Sequence, residues 1–263
     1  MINDRLYVGT IACDAAQVAG EYGLGIEVDE FCTASNMDGE IFKEIDLRVR
    51  KKMSVSDRHI FHAPFNELFP AAVDPLAVEL AFKRFEQSYA LARDLGIKRM
   101  VVHTGYVPFF YFKSWFKERS VEFWKKFMSD KPVDFGIMIE NVLEDEPQTL
   151  AEIIEGINDS RVTACLDIGH AFCKSKLELT EWIKTLGPWL GHAHLHNNDM
   201  SDDYHWPLGI GHIDMNRVLE ELTKNSRSSL TFTVENSQCN ESVRWLKDNG
   251  WIYEKNVIND ILK

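Results

Sequence analysis

The chain has 263 residues, 45% of them apolar, and a formal net charge of −12. That length carries a sizeable core and suits one domain of barrel size. No run nears the roughly 18 uninterrupted apolar residues of a membrane span, the N-terminus MINDRLYVGTIACDAAQ lacks the basic and apolar regions of a signal peptide, and 41 acidic against 29 basic residues leave little for the basic groove that duplex DNA requires.

Short apolar, β-branched runs lie near residues 7–12, 25–31, 59–65, 99–105, 135–142, 162–168, 190–196 and 230–236, and amphipathic stretches alternate with them. The basic stretch RVRKK at 48–52 reads as the solvated face of the helix after the second run. The segment 75–95 starts at Pro75, carries Leu76, Leu80, Phe82, Phe85, Tyr89 and Leu91 near helical spacing, and stops at Gly96. Residues 147–157, 214–224 and 239–249 read alike, with Pro147 at a start, Asp214 as an N-cap and Gly250 as a stop. The alternation predicts an α/β fold, a (β/α)8 TIM barrel, as a single domain over residues 1–263. A doubly wound open sheet would want a glycine-rich phosphate loop after the first strand, and TIACDAAQ has none. Cys13, Cys32, Cys165, Cys173 and Cys239 are odd in number and form no CxxC pair, so they read as reduced thiols of a cytoplasmic protein.

Six successive runs close on His, Asp or Glu: HIFHAPF, RMVVHTG, GIMIENV, TACLDIGHA, LGHAHLHNND and LTFTVEN. Such a residue is costly to bury unpaired at the end of an apolar strand, so six in succession point to one shared site. Its members are His62, His103, Glu140, Asp167, His170, His194, Asp203, His205 and Glu235. Histidine and carboxylate without cysteine suit a metal such as zinc or manganese. Parity agrees: Ile60 shares a face with His62, Val101 with His103, Met138 with Glu140, Cys165 with Asp167, His192 with His194, and Thr233 with Glu235. In a barrel these sets point to the axis and their last members reach the C-terminal mouth, where active sites of this fold gather. Singly, each has a plainer role: a strand-end His as a hydrogen-bonded rim residue, Asp167 as a helix cap, Asp203 as part of a solvated acidic loop. The joint pattern outweighs these. Of the other histidines, His59 has the wrong parity, His192 lies deeper, and His196 and His212 are candidates for bonds to ligands or substrate. The aromatic loop GYVPFFYFKSWFKE is either the buried face of a helix or a wall of the site formed by Tyr106, Phe109 and Trp115, with Trp206 a further contact.

HAPF, VVHTG, IEN, LDIGHAF, HLHNND, DxHxxLGxG and a strand ending VEN resemble the AP endonuclease family 2, xylose isomerase-like TIM barrels, over about residues 25–236. Members include DNA-repair endonucleases, sugar isomerases and epimerases, and inosose-metabolising enzymes. The resemblance implies an endonuclease IV-like set of two or three zinc ions. His62, His103 and Glu140 would hold one; Glu140, Asp167, His194 and Glu235 a second; His170, Asp203 and His205 a third. That set suits phosphoester hydrolysis, for which clustered ions activate water at neutral pH and neutralise the leaving oxygen. The isomerase-type members resemble a reduced version, with one Mn, Mg or Co ion on Glu140, Asp167, His194 and Glu235, where Glu140 and Glu235 are the catalytic pair that moves a proton between sugar carbons. The quartet fits both readings, whereas His170, Asp203 and His205 favour several ions. The expected activity is hydrolysis of a phosphoester on a small sugar-phosphate- or nucleotide-like substrate. Sugar or sugar-phosphate isomerisation or epimerisation stands second, and a non-catalytic metal-binding barrel third. The family loop GEG is here Gly209-Ile210-Gly211, without its carboxylate.

Overall fold

Eight parallel strands close into a barrel in sequence order: β1 (Leu6–Gly9), β2 (Gly25–Val28), β3 (His59–His62), β4 (Arg99–His103), β5 (Gly136–Glu140), β6 (Val162–Asp167), β7 (Leu190–Leu195) and β8 (Thr231–Val234). This is a computed structural model, and it describes residues 1–253. The last ten residues of the expected domain lie outside the described residues. The helices are α1 (Ala15–Tyr22), α2 (Ile41–Met53), α3 (Pro75–Asp94), α4 (Lys113–Met128), α5 (Gln148–Ile157), α6 (Ile168–Lys174), α7 (Leu179–Leu186), α8 (Met215–Asn225) and α9 (Asn240–Asp248). Among the described residues one helix follows each strand except β6, which is followed by two.

The local signals act where the sequence places them. The Asp74 side chain accepts from Leu76 N and Pro75 opens α3, while the Asp214 side chain accepts from Arg217 N at the start of α8. Pro147 is itself the N-cap residue of α5, one position earlier than a helix start. The basic residues of α2 are partly neutralised: Arg50 pairs with Asp46 and Asp94, and Lys52 with Glu30. All five cysteines are free. Among the described residues no helix is long and apolar enough to cross a membrane.

Two apolar layers hold the barrel. The larger lies between strands and helices, where Trp124, Trp182, Phe85, Phe116 and Phe127 are fully buried. Each such side chain contributes about 1.5–3 kcal/mol relative to exposure. The smaller lies inside the barrel and comprises Tyr7, Ile60, Val101, Met138 and Cys165. Four of these are the inward partners assigned by parity, so the ligand residue two positions further along each strand emerges above them. Register aligns the ends: His103 lies beside Glu140, and Asp167 beside His194. An irregularity between Ala164 and Cys165 absorbs the extra residue Gly191 on β7, so that Cys165 and His192 meet as neighbours.

Candidate metal centre

All nine expected ligands converge at the C-terminal mouth, and Glu140 sits at their centre. Its Oε2 lies 3.3 Å from both His62 Nε2 and His103 Nε2. Its Oε1 lies 3.2 Å from His194 Nδ1 and 3.5 Å from His170 Nδ1. His194 Nδ1 is also 3.4 Å from Glu235 Oε2 and 3.8 Å from Asp167 Oδ2. Asp203 Oδ2 then gathers the outer group, 3.1 Å from His170 Nε2 and 3.0 Å from His205 Nε2. Depth grades across the site: the His194 side chain has no exposure, whereas that of His205 is 31% exposed. His205 takes up a left-handed backbone (φ 50°), a strained conformation of the kind that clusters at functional sites.

Hydrogen-bond accounting assigns the free ring nitrogens. His62 Nδ1 lies 3.0 Å from the carbonyl of Ala63, His170 Nδ1 3.0 Å from that of Asn141, and His205 Nδ1 2.9 Å from that of Glu235. A carbonyl only accepts, so each Nδ1 carries a proton and donates, and Nε2 is the nitrogen each ring turns to the site. Once deprotonated, such a nitrogen would face a carboxylate oxygen acceptor against acceptor unless a cation lay between them. Among the described residues Glu140 Oε2 is buried and accepts no hydrogen bond, and the same holds for Asp203 Oδ1. Two ligands about 2.05 Å from one tetrahedral ion are about 3.3 Å apart. The His62–Glu140, His103–Glu140 and His194–Glu235 separations match that edge, and the donor set therefore fits divalent ions.

The charged groups of the site act strongly on one another. Burial opposes ionisation of Glu140, but the imidazoles of His194 and His103 hold its carboxyl well below the usual range. Burial likewise opposes charge on His170, yet Asp167, Asp203 and Glu140 push it up to about 10. His205 is pushed up to about 9 against its burial, by its bond to Asp203 and by Glu235 and Asp167. Asp167 carries two duties: Oδ1 caps α6 by accepting from His170 N at 2.7 Å, and Oδ2 faces His194. The plain reading of Asp167 as a cap holds, and it leaves Oδ2 turned to the candidate site.

The expected substrate contacts scatter. Tyr106 is buried with its ring on Phe116 at 4.9 Å, inside the core rather than at the mouth. Trp115 donates to the carbonyl of Ala71 and lines a groove between α3 and α4, where Arg119 lies over its ring. Phe109 is fully exposed, with Phe110 and Phe112 beside it in sequence. His212 is exposed and lines a groove with Phe172 and Leu179, away from the ligand set. Trp206 stacks on Tyr204 at 4.7 Å next to His205. His196 does join the centre: it is fully buried, its Nε2 lies 3.0 Å from both Asp167 oxygens and 3.7 Å from Asp203 Oδ1, and its ring stacks on His205 at 3.8 Å. A cavity of about 450 Å³ opens at the opposite end of the barrel among Arg99, Asp134, Arg161 and Arg227. Its lining includes none of the nine candidate ligands.

Three residues of the centre escape the sequence reading. Glu27 is buried, and its Oε1 lies 3.0 Å from His194 Nε2. Asp29, two positions on and just past the end of β2, accepts from Ile11 N at 3.0 Å, and burial pushes its carboxyl well above the usual range. Cys32 Sγ lies 3.2 Å from His62 Nδ1. GIEVDEF carries the signal: an acidic residue inside an apolar strand, with a second one two positions on.

The chain belongs to the xylose isomerase-like TIM barrel family, whose pattern matches residues 24–254. Among proteins with a similar sequence is the uncharacterised protein MJ1311 of Methanocaldococcus jannaschii, 28% identical over 74% of this chain and 71% of the relative. Among solved structures, a D-tagatose 3-epimerase-like protein superposes with a TM-score of 0.73 at 22% identity, covering 98% of this chain and all of that one. The TTHB071 protein from Thermus thermophilus, soaked with ZnCl2, superposes with a TM-score of 0.73 at 21% identity, covering 94% of this chain and 98% of that one. These likenesses agree with the closed barrel.

Proposed function

We propose that the protein is a divalent-metal enzyme with a centre of two or three zinc ions that hydrolyses a phosphoester in a small sugar-phosphate- or nucleotide-like substrate. The observation that carries this reading is the split of Glu140 between His62 and His103 on one oxygen and His194 on the other. A carboxylate facing donors on both sides is suited to bridging two ions. His170, Asp203 and His205 offer a further position at the rim. Bound divalent ions supply Lewis acidity and an activated water. The chain's own part is to hold the ligands rigid, to keep the deep oxygens of Glu140 and Asp167 from bulk water, and to leave the Asp203 side open, where a phosphate enters. Asp29 faces the same end of the barrel and is a candidate proton carrier for the leaving group.

A second reading, a one-metal sugar epimerase or isomerase, draws support from the likeness to the D-tagatose 3-epimerase-like barrel. There Glu140 and Glu235, which flank His194, would move the proton. Elemental analysis of the purified protein together with phosphatase and ketose-epimerase assays separates the two. Two or three ions per chain with phosphoester turnover supports the first; one ion with epimerisation and no phosphate release replaces it with the second.

A further inference from the structure

The barrel axis beneath the ligand set carries a line of polar groups. Glu27 Oε1 meets His194 Nε2 at 3.0 Å, and Glu27 Oε2 meets His192 Nε2 at 3.1 Å while accepting from the Thr233 hydroxyl. Below, His192 Nδ1 lies 2.7 Å from Thr231 Oγ1, which accepts from Arg99 at 3.0 Å. Glu27, His192 and His194 are all buried. Interiors of this fold are ordinarily filled with branched apolar side chains. A buried carboxylate between two buried imidazoles is costly unless it does something an apolar residue cannot.

Comparison among the histidines indicates what that is. His62, His170 and His205 have Nδ1 tied to a main-chain carbonyl and offer Nε2. His194 is reversed. Its Nε2 is the tied atom, and Nδ1 faces Glu140, Glu235 and Asp167. Among the described residues no carbonyl is bonded to its ring, and Glu27 is the acceptor at Nε2. Glu27 offers only acceptor oxygens and so holds a proton on His194 Nε2, and Nδ1 is the nitrogen that would give its lone pair to an ion among Glu140, Asp167 and Glu235. A carboxylate partner also makes the ring a better donor to a metal than a carbonyl partner does.

We infer that Glu27 is a positioning residue for the deep metal position, selecting the ring nitrogen that His194 presents to Glu140, Asp167 and Glu235, with Thr233 and His192 holding Glu27 in place. This rests on the metal reading proposed above. The role is indirect, since Glu27 faces the far side of the imidazole.

Zinc competition with a chromophoric chelator on the full-length apo-protein, combined with nitrogen NMR of the histidine rings in the zinc-loaded protein, tests it. Glu27→Gln keeps the shape, removes the charge and lets an amide N–H face His194. The expected result is a 10–100-fold weaker affinity for one ion of the set, unchanged affinity at the Asp203 position, and loss of a uniquely Nε2-protonated His194. Thr233→Val, which frees Glu27 from its hydroxyl, should shift the same ion in the same direction by less. Equal affinities and an unaltered His194 tautomer in Glu27→Gln overturn the inference and leave the metal reading standing. Failure of Glu27→Gln to fold, with unchanged zinc affinity in Thr233→Val, also overturns it and makes Glu27 structural. A wild-type protein that takes up no zinc at all removes the metal reading itself.

Discussion

Asp203, from the loop after β7, reaches His170 on the first turn of α6: Oδ2 lies 3.1 Å from Nε2. The contact joins the loop after β7 to the first turn of α6 at the barrel mouth and assembles the outermost of the three candidate ligand groups. If it holds an ion, Asp203→Asn with His205→Ala lowers the zinc content by about one ion per chain and strongly impairs phosphoester cleavage. Inductively coupled plasma analysis of both proteins reads the count. An unchanged count assigns these residues to substrate contact and favours the one-metal reading.

Glu140→Gln should be the most damaging single substitution. It keeps the volume at a fully buried position but takes away the charge that faces four histidines. Metal affinity should fall by at least the roughly 10–100-fold that loss of an outer-shell partner costs, and turnover should vanish. The circular dichroism spectrum should stay that of the wild type, because the interior layer of Ile60, Val101, Met138 and Cys165 does not depend on the carboxylate. Undiminished metal content would remove the site as drawn.

Metal uptake should release protons. In the apo-protein His170 is pushed up to about 10 and His205 to about 9, so both carry a proton at neutral pH that an ion must displace. Affinity for zinc therefore climbs with pH until about 9–10, and calorimetry in buffers of different ionisation enthalpy should count more than one proton released. Apo-protein stability runs the opposite way. A histidine raised above its ordinary 6.5 contributes fully below that pH and loses its contribution as pH climbs through 9 to 10. A pH-independent zinc affinity would contradict this account.

Gly169→Ala should disturb the centre from outside the ligand list. A Cβ at Gly169 would lie 1.9 Å from His196 Cε1. Pushing His196 aside breaks its bond to Asp167 and costs about 1–3 kcal/mol by overpacking. Thermal unfolding of the apo-protein and zinc titration should both register the change. A variant with wild-type values in both would show that His196 has room to move.

Duplex DNA should bind poorly, because α2 spends Arg50 and Lys52 on carboxylates and the net charge is −12. Titrations with an abasic duplex and with small sugar phosphates at matched low salt measure the contrast. Tight, steeply salt-dependent binding of the duplex would restore a nucleic-acid role.

The strands and the convergence of the residues that close them are legible in the sequence because the side chains alternate with period two, which register preserves: His103 meets Glu140 and Asp167 meets His194 as parity requires. Glu27 escapes because its strand does not end on it. His196 reads from the sequence as a minor contact because its partner is a side chain, Asp167, rather than a pattern along the chain. The aromatic loop misleads for a related reason. Composition marks it as apolar, but only packing decides that Tyr106 turns into the core and Phe109 turns out.

The cap at Asp167 has a further consequence. One turn of α6 carries Asp167 of the deep group and His170 of the rim group, and the hydrogen bond from His170 N to Asp167 Oδ1 locks the two together. Whatever draws Asp167 inward drags the rim histidine with it. An ion held at Asp167 should then also steady the His170 ring, and nitrogen relaxation of that ring should show rigidity gained at the rim when only the deep position is filled.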